Sequence, residues 1–198
     1  ASSCAVYGDY SREGLAVRHC TEETSVNPTS LYGVSKLAGE NSVSVATRQG
    51  LVRGVSLRLV ANVGLGATHG LLPDLIKKLQ SESKTLQLYG DGLNYKPYCH
   101  VDDTIHALVE LGESAYVGKP VVVSPEDSLY ISQVADLVMK TMRTEKEIEW
   151  LPKEVWAGDN LILQAKSAWR LKGLDFAPSR SSEQAIQEAV GDILDWAK

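Results

Sequence analysis

Three cysteines in 198 residues, Cys4, Cys20 and Cys99, are too few and too irregularly placed for a disulfide framework. They show no Cys-x-x-Cys spacing, so no zinc site is expected, and reduced thiols in a cytoplasm are the simplest account. No apolar run approaches the roughly 20 residues that span a bilayer, so no membrane partner is expected. An excess of positive charge is also missing. Lys and Arg number 20 against 25 Asp and Glu, a net charge of -5, and without a basic stripe there is no electrostatic footprint for nucleic acid. Residue 1 already opens a serine-rich motif where a secretory leader would carry positive charge and then an apolar run, so the expected compartment is the cytoplasm. Internal repeats and low-complexity tracts are lacking too. The most telling absence is a glycine-rich fingerprint, G-x-G-x-x-G, between a strand and a helix. Gly64-Leu65-Gly66 comes nearest, but it has neither a third glycine nor an acidic strand end after it.

What the chain does have is the makeup of a globular protein, 43% hydrophobic and 23% charged, with length enough to bury one sizeable core. Its organising stretch is Leu31-Tyr32-Gly33-Val34-Ser35-Lys36-Leu37-Ala38-Gly39-Glu40. Pro28-Thr29-Ser30 supplies a turn and a helix start, and Gly50 a C-terminal cap, so a helix is predicted to run to about Arg48. Side chains four apart lie on one helical face, which brings the Tyr32 phenol and the Lys36 ammonium to one site. A phenol that must accept a proton at neutral pH needs a cation nearby, because an unperturbed tyrosine titrates near 10. The spacing therefore makes Tyr32 a candidate base and Lys36 its electrostatic support.

Around that helix the pattern is α/β. Residues 1–8 read as the end of a buried strand with Ser2 and Ser3 at its carboxyl end, where ligands of open α/β sheets bind. Residues 9–30 read as a surface loop, and the β-branched alternation of Val52 to Val60 as a strand. Leu71 to Ser81 is amphipathic, with Pro73 at a tolerated early position. Leu86 to Tyr89 and Val121 to Val123 read as strands, as do residues 147–150. A helix is expected from Asp102 or Asp103, acidic residues suited to an N-terminus; this capping role is preferred over a metal site at His100-x-Asp102, and no metal is expected. Ser132 is expected to cap a further amphipathic helix through Val134, Leu137, Val138 and Met142. Lys166 to Lys172 and Ser182 to Trp196 finish as helices.

Several ordered motifs resemble those of a known family. They are Ser2-Ser3-Cys4-Ala5-Val6-Tyr7-Gly8-Asp9, Pro28 to Lys36, Arg58-Leu59-Val60-Ala61-Asn62-Val63-Gly64, Leu88-Tyr89-Gly90-Asp91-Gly92, Lys96 to Asp103 and Trp156-Ala157-Gly158-Asp159. The family is the extended short-chain dehydrogenase/reductases, NAD-dependent sugar-nucleotide epimerases and dehydratases, in its archaeal-type UDP-glucose 4-epimerase branch. The resemblance implies the second part of a Rossmann-type doubly wound parallel sheet plus a smaller α/β substrate-binding lobe. Residues 1–66 would be the C-terminal part of the NAD-binding domain. Residues 67–198 would be mainly the nucleotide-sugar lobe, with some segments returning to the sheet. The family's glycine fingerprint lies upstream of the serine strand, so the chain is expected to be the C-terminal part of a longer enzyme.

The same resemblance implies roles. Ser3, Tyr32 and Lys36 would be catalytic, with Ser2, Tyr32 and Lys36 contacting NAD. Asn62, Leu71, Gln87, Tyr89, Lys96, Tyr98 and Asp159 would bind the nucleotide sugar. Lys96 stands where the family more often has arginine, which keeps the charge but gives up the bidentate fork. Trp156 also replaces a common arginine, and Leu174 to Pro178 is a weakened form of a closing family run. Dehydratases carry an Asp-Glu pair where this chain has Cys4 and Ala5, so dehydration is disfavoured. A keto-sugar epimerase/reductase would want a cysteine and a histidine, for which Cys4 and His69 are the candidates. The expected reaction is epimerisation of a UDP-glucose/UDP-galactose type sugar through a transient keto-sugar, by a homodimer paired through the Tyr32 helix. The alternative from a different class is a non-catalytic sugar-nucleotide-binding module.

Overall fold

The computed structural model describes residues 1–8, 18–152, 163–165 and 176–196. Its central layer is a three-stranded parallel sheet in the order β1 (Ser2–Ser3), β3 (Leu57–Leu59), β8 (Val121–Val123). Ser2 pairs with Arg58 and Ser3 with Leu59, while Leu57, Arg58 and Leu59 face Val121, Val122 and Val123. Parallel neighbours need a long crossover. Between β1 and β3 that crossover contains a 3-10 turn (Cys4–Tyr7), a short strand β2 (Arg18–Cys20) and helix α1 (Leu31–Arg48).

One residue beyond β3 the chain changes partners. β4 (Ala61–Val63) pairs in parallel with β7 (Tyr98–His100), and Val60 between β3 and β4 packs against two hydrophobic clusters of the sheet. A second body of structure follows. Helix α2 (Leu71–Gln80), strand β5 (Thr85–Tyr89), strand β6 (Tyr95–Lys96) and helix α3 (Val101–Glu113) lead back to β8. Then come β9 (Leu129–Tyr130), α4 (Ile131–Met142), β10 (Glu147–Leu151), β11 (Leu163–Ala165) and α5 (Ser182–Trp196). β5 and β10 pair in parallel, β6 and β9 antiparallel, and β11 lies parallel to β2.

Packing follows the apolar periodicity. Leu72, Leu75, Ile76 and Leu79 on α2 meet Leu86 and Leu88 on β5, Val134 and Val138 on α4, and Ile186 and Val190 on α5. Leu57, Val121 and Val123 close against Ala107 and Leu111 of α3 and against Phe176. The other side of the sheet joins Val122 to Cys4, Val6, Tyr7, Cys20 and Ala165.

Several expected boundaries shift. The stretch from Val52 to Val60 is strand only from Leu57; Leu51 and Val52 are exposed, although Gly54 and Ser56 still accept from the N–H groups of Gly118 and Val121. The region expected as loop contains β2, which gains a ladder partner only when distant β11 folds beside it. α3 begins one residue before Asp102, because His100 Nδ1 accepts from the Asp102 N–H at 3.3 Å and so takes the capping role. α4 likewise starts before Ser132, at Ile131 after Tyr130, whose N–H donates to Gln133 Oε1 at 2.9 Å. The expected helix over Lys166 to Lys172 lies outside the described residues, as do Trp156 and Asp159.

Candidate active site

The first turn of α1 is fixed by Ser30, whose Oγ accepts from the Gly33 N–H at 3.1 Å. Two residues on, Tyr32 is 49% exposed, and the Lys36 ammonium lies 5.4 Å from its ring centroid. That is cation–π range, so the two side chains do share a face. Gly33 explains how the turn gets so near the sheet. A Cβ there would lie 2.6 Å from the Ala5 carbonyl oxygen and 2.9 Å from Pro28 Cβ. Ser3 sits on the same 3-10 turn as Ala5, its Oγ accepting from the Ala5 N–H at 3.2 Å.

Ser2, expected to contact NAD, has a buried hydroxyl that donates to Glu40 Oε1 at 2.6 Å. The same Glu40 carboxylate takes a two-point clamp from Arg58, Nε to Oε1 at 2.9 Å and Nη2 to Oε2 at 2.8 Å. Arg58 also donates to Tyr7 Oη at 3.1 Å, and Tyr7 in turn donates to the Thr21 carbonyl at 2.8 Å. Burial works against the Arg58 charge, yet its bonds to Glu40 and Tyr7 hold the guanidinium pKa above its ordinary value. Sequence reasoning missed this cluster. The available signal was a charged residue, Arg58, inside the apolar run Val55 to Val60, since such a residue requires a partner when buried.

Cys4 is likewise interior. Its Sγ is 3.8 Å from the Arg58 carbonyl, and burial pushes its thiol well above the ordinary cysteine range. A protonated, buried thiol is no acid/base partner, and His69 is exposed beside Thr68. The two candidates for the keto-sugar epimerase/reductase pair are thus a core residue and a surface one.

A separate cleft of about 320 Å³ opens between α2, β5, β6 and the start of α4. Four of the expected substrate residues line it: Leu71, Tyr89, Lys96 and Tyr98. Asp74, Lys78, Asn94 and Ile131 join Ala61, Leu88 and Gly92 on the wall without having been foreseen as substrate contacts. Lys78 pairs with Asp74 at 2.8 Å, lies 5.8 Å from the Tyr89 ring centroid, and donates to the Gln87 carbonyl at 3.1 Å. Gly92 lets the wall form, because at φ +77° its missing Cβ leaves room for the Trp150 ring only 2.6 Å away. Gln87 is not on the wall; its amide donates to Glu149 Oε2 at 2.9 Å. Asn62 is also outside it, exposed on β4 and accepting from Thr104 Oγ1 at 2.8 Å.

Ser3, Tyr32 and Lys36 do not line this cleft. The two groups are joined through the stretch in which β3 passes into β4. Leu59 is the register partner of Ser3, and Ala61, two residues on, forms part of the cleft wall. Two residues of extended chain cover about 7 Å. Leu59, the backbone neighbour of Ser3, thus lies about 7 Å along the chain from the cleft wall at Ala61.

Residues 1–123 match the NAD dependent epimerase/dehydratase family. The chain belongs to that family. Its curated relatives include an uncharacterized UDP-glucose epimerase, YtcB, of Bacillus subtilis (strain 168), 25% identical over 79% of this chain and 50% of the relative. They also include the dTDP-glucose 4,6-dehydratase of Mycobacterium tuberculosis (strain ATCC 25618 / H37Rv), 24% identical over 98% of this chain and 57% of the relative. Among solved structures, UDP-glucuronic acid 4-epimerase from Bacillus cereus, crystallised with UDP-glucuronic acid and NAD, superposes with a TM-score of 0.84. That match is 22% identical and covers 98% of this chain and 60% of the epimerase, so it speaks to the fold. The fold is thus the α/β Rossmann type of these epimerases and dehydratases. The chain spans about half the length of the curated relatives it matches.

Proposed function

We propose that this chain carries the catalytic and sugar-nucleotide-binding part of an NAD-dependent epimerase acting on a UDP-glucose/UDP-galactose type substrate. The observation that carries the reading is the Lys36 ammonium 5.4 Å from the ring of an exposed tyrosine, on a helix pressed against the turn that Ser3 caps. Residues 1–66 would serve the cofactor and most of 67–198 the nucleotide sugar. Tyr32 and Lys36 suit the nicotinamide-ribose end of NAD, an accessible phenol and a cation on one helical face. NAD, when bound, supplies the hydride acceptor and afterwards the donor. Tyr32 Oη accepts the proton of the sugar hydroxyl as that carbon is oxidised, and returns it when the keto-sugar is reduced on its other face. Lys36 Nζ steadies the charge on the phenol oxygen, and Ser3 Oγ orients the hydroxyl.

The cleft holds the nucleotide. Tyr89, 62% exposed, offers a stacking face for a base, Lys96 a cation for a diphosphate, and Leu71 and Tyr98 apolar walls. Asn62 and Asp159 remain proposed contacts to the sugar and ribose ends. Against dehydration stands the absence of a carboxylate at Cys4 and Ala5, although the family includes such enzymes. A homodimer is proposed through α1, which leaves Leu31, Val34 and Val45 exposed.

The test is interconversion of UDP-glucose and UDP-galactose in the presence of NAD. Tyr32→Phe is expected to lower turnover by about 10²–10⁴-fold, the range of general-base catalysis, with UDP affinity unchanged. Unchanged turnover in Tyr32→Phe refutes the assignment of the base. One observation favours a second reading, a sugar-nucleotide-binding module: the cleft is complete without any of the three catalytic candidates. That reading requires UDP binding with no NAD retained and no turnover.

A further inference from the structure

Resting on that reading of Ser3, Tyr32 and Lys36, we propose that Glu40 is the positioning residue of the site, aiming the Tyr32–Lys36 face of α1 at Ser3. Tyr32, Lys36 and Glu40 are spaced by four and form one stripe along the helix. The stripe runs from exposed to buried: Tyr32 is 49% exposed and Glu40 only 6%. A helix anchored at one point of a stripe has its rotation about its own axis fixed there, and with it the direction of every side chain on the stripe. Of the 18 residues of α1 only Gly33 and Glu40 are buried, with Leu37, one residue after Lys36, half-buried against the core cluster of Cys4, Val6 and Tyr7.

The anchor also reaches the other half of the site. Glu40 accepts from Ser2 Oγ at 2.6 Å and from Arg58 at 2.9 and 2.8 Å, and Ser2 and Arg58 are register partners on adjacent strands. The next register pair is Ser3 with Leu59. Ser3, the next residue, caps the turn whose Ala5 carbonyl lies against Gly33 of α1. One carboxylate therefore sets the helix and the strand end against each other. Arg58 is held in turn by Tyr7 Oη at 3.1 Å, with its guanidinium 5.0 Å from the Tyr7 ring centroid. This second anchor keeps the clamp from swinging.

The proposal separates positioning from stability. In Ser2→Ala/Glu40→Leu/Arg58→Met all three polar groups go together, and buried charge clusters replaced by apolar residues commonly keep the fold. Glu40→Asp is the second variant, keeping the charge but shortening the reach by one methylene. Nuclear Overhauser contacts from Gly33 to Ala5 and Pro28, measured on the full chain, report the seating of α1 without any need for activity. Both variants are expected to lose most of that intensity while binding UDP as the parent does, since no clamp residue lines the cleft. Where the parent turns over UDP-glucose, kcat should fall by about 10²-fold at unchanged KM, the effect of a misplacement near 1 Å. Undiminished contacts in either folded variant overturn the proposal. Lost contacts together with a parent that shows no turnover support the placement and refute the epimerase reading instead.

Discussion

Two glycines of α1 offer a test in which the usual rule and the local geometry give opposite signs. Glycine in a helix interior is less favourable than alanine by about 1 kcal/mol. Gly39 has nothing within 4 Å of the position its Cβ would take, so Gly39→Ala is expected to stabilise the fold by that amount. Gly33 occupies the same helix, but its Cβ would lie 2.6 Å from a backbone oxygen, that of Ala5, and 3.2 Å from the Ala5 carbonyl carbon. Backbone atoms cannot rotate away, so the helix must lift by about 0.8 Å to reach the 3.4 Å of ordinary contact. Overpacking of this kind costs about 1–3 kcal/mol, which cancels the propensity gain or exceeds it. The two variants should therefore differ by about 1–3 kcal/mol in urea melts, with Gly33→Ala at or below the parent. Lifting the first turn also moves Tyr32, one residue away, off its seat. Turnover in Gly33→Ala should fall up to about 10²-fold, while Gly39→Ala keeps the parent rate. Equal stabilisation by both substitutions refutes the close approach of α1 to the Ala5 turn, and with it the seating of the phenol.

Four further outcomes follow from the same geometry. Tyr89→Ala is expected to weaken UDP binding by about 1–3 kcal/mol, the worth of a stacked base, and Lys96→Gln to weaken it less as salt rises; calorimetry at two ionic strengths checks both, and parent affinity in Tyr89→Ala refutes the stacking role. Glu40→Ala strands the Arg58 charge in the interior and should cost about 3–5 kcal/mol by urea denaturation; a loss below 1 kcal/mol would show that water reaches Arg58. Burial pushes the Cys99 thiol up from 9.0 to about 11, so the folded chain keeps a proton the unfolded chain releases. This contribution is fully present below pH 9 and is lost as pH rises through 11, at about 1.4 kcal/mol per pH unit within that window. The difference in slope between parent and Cys99→Ala over pH 8 to 11 measures it, and identical slopes refute it.

The parts of this fold legible in the sequence are those whose cause is local. α1 runs Leu31–Arg48 because Ser30 caps it and Gly50 follows its end, and α5 runs Ser182–Trp196 as its apolar period predicts. The Tyr32–Lys36 contact was legible too, since it depends only on helical spacing. What could not be read depends on partners far along the chain. β2 is a strand because β11 lies beside it, some 145 residues later. Asp74 and Lys78 reach the cleft only through the way α2 lies over β5, and Gln87 turns to Glu149 because β10 pairs with β5. Ser2 illustrates the limit best. Two adjacent serines at a strand end look alike in sequence, and only the carboxylate arriving from α1 makes Ser2 the buried anchor while Ser3 caps the following turn.

That asymmetry bears on how such a site tolerates change. Tyr32 and Lys36, the proposed base and its cation, are neighbours on one helix, so their mutual geometry survives any rigid movement of α1. Their relation to Ser3 and to the cleft does not. It passes through Gly33 against Ala5 at one end of the stripe and through Glu40 against Ser2 and Arg58 at the other. Two attachments about two turns apart fix both the tilt and the rotation of the helix, whereas either alone leaves one of them open. Substitutions at the two attachments should therefore be coupled. The combined effect of Gly33→Ala and Glu40→Asp on turnover should depart from the product of the single effects, as expected of residues that orient one element together. A multiplicative result would mean that the two ends act separately, and that each part of the helix holds its own side chain in place.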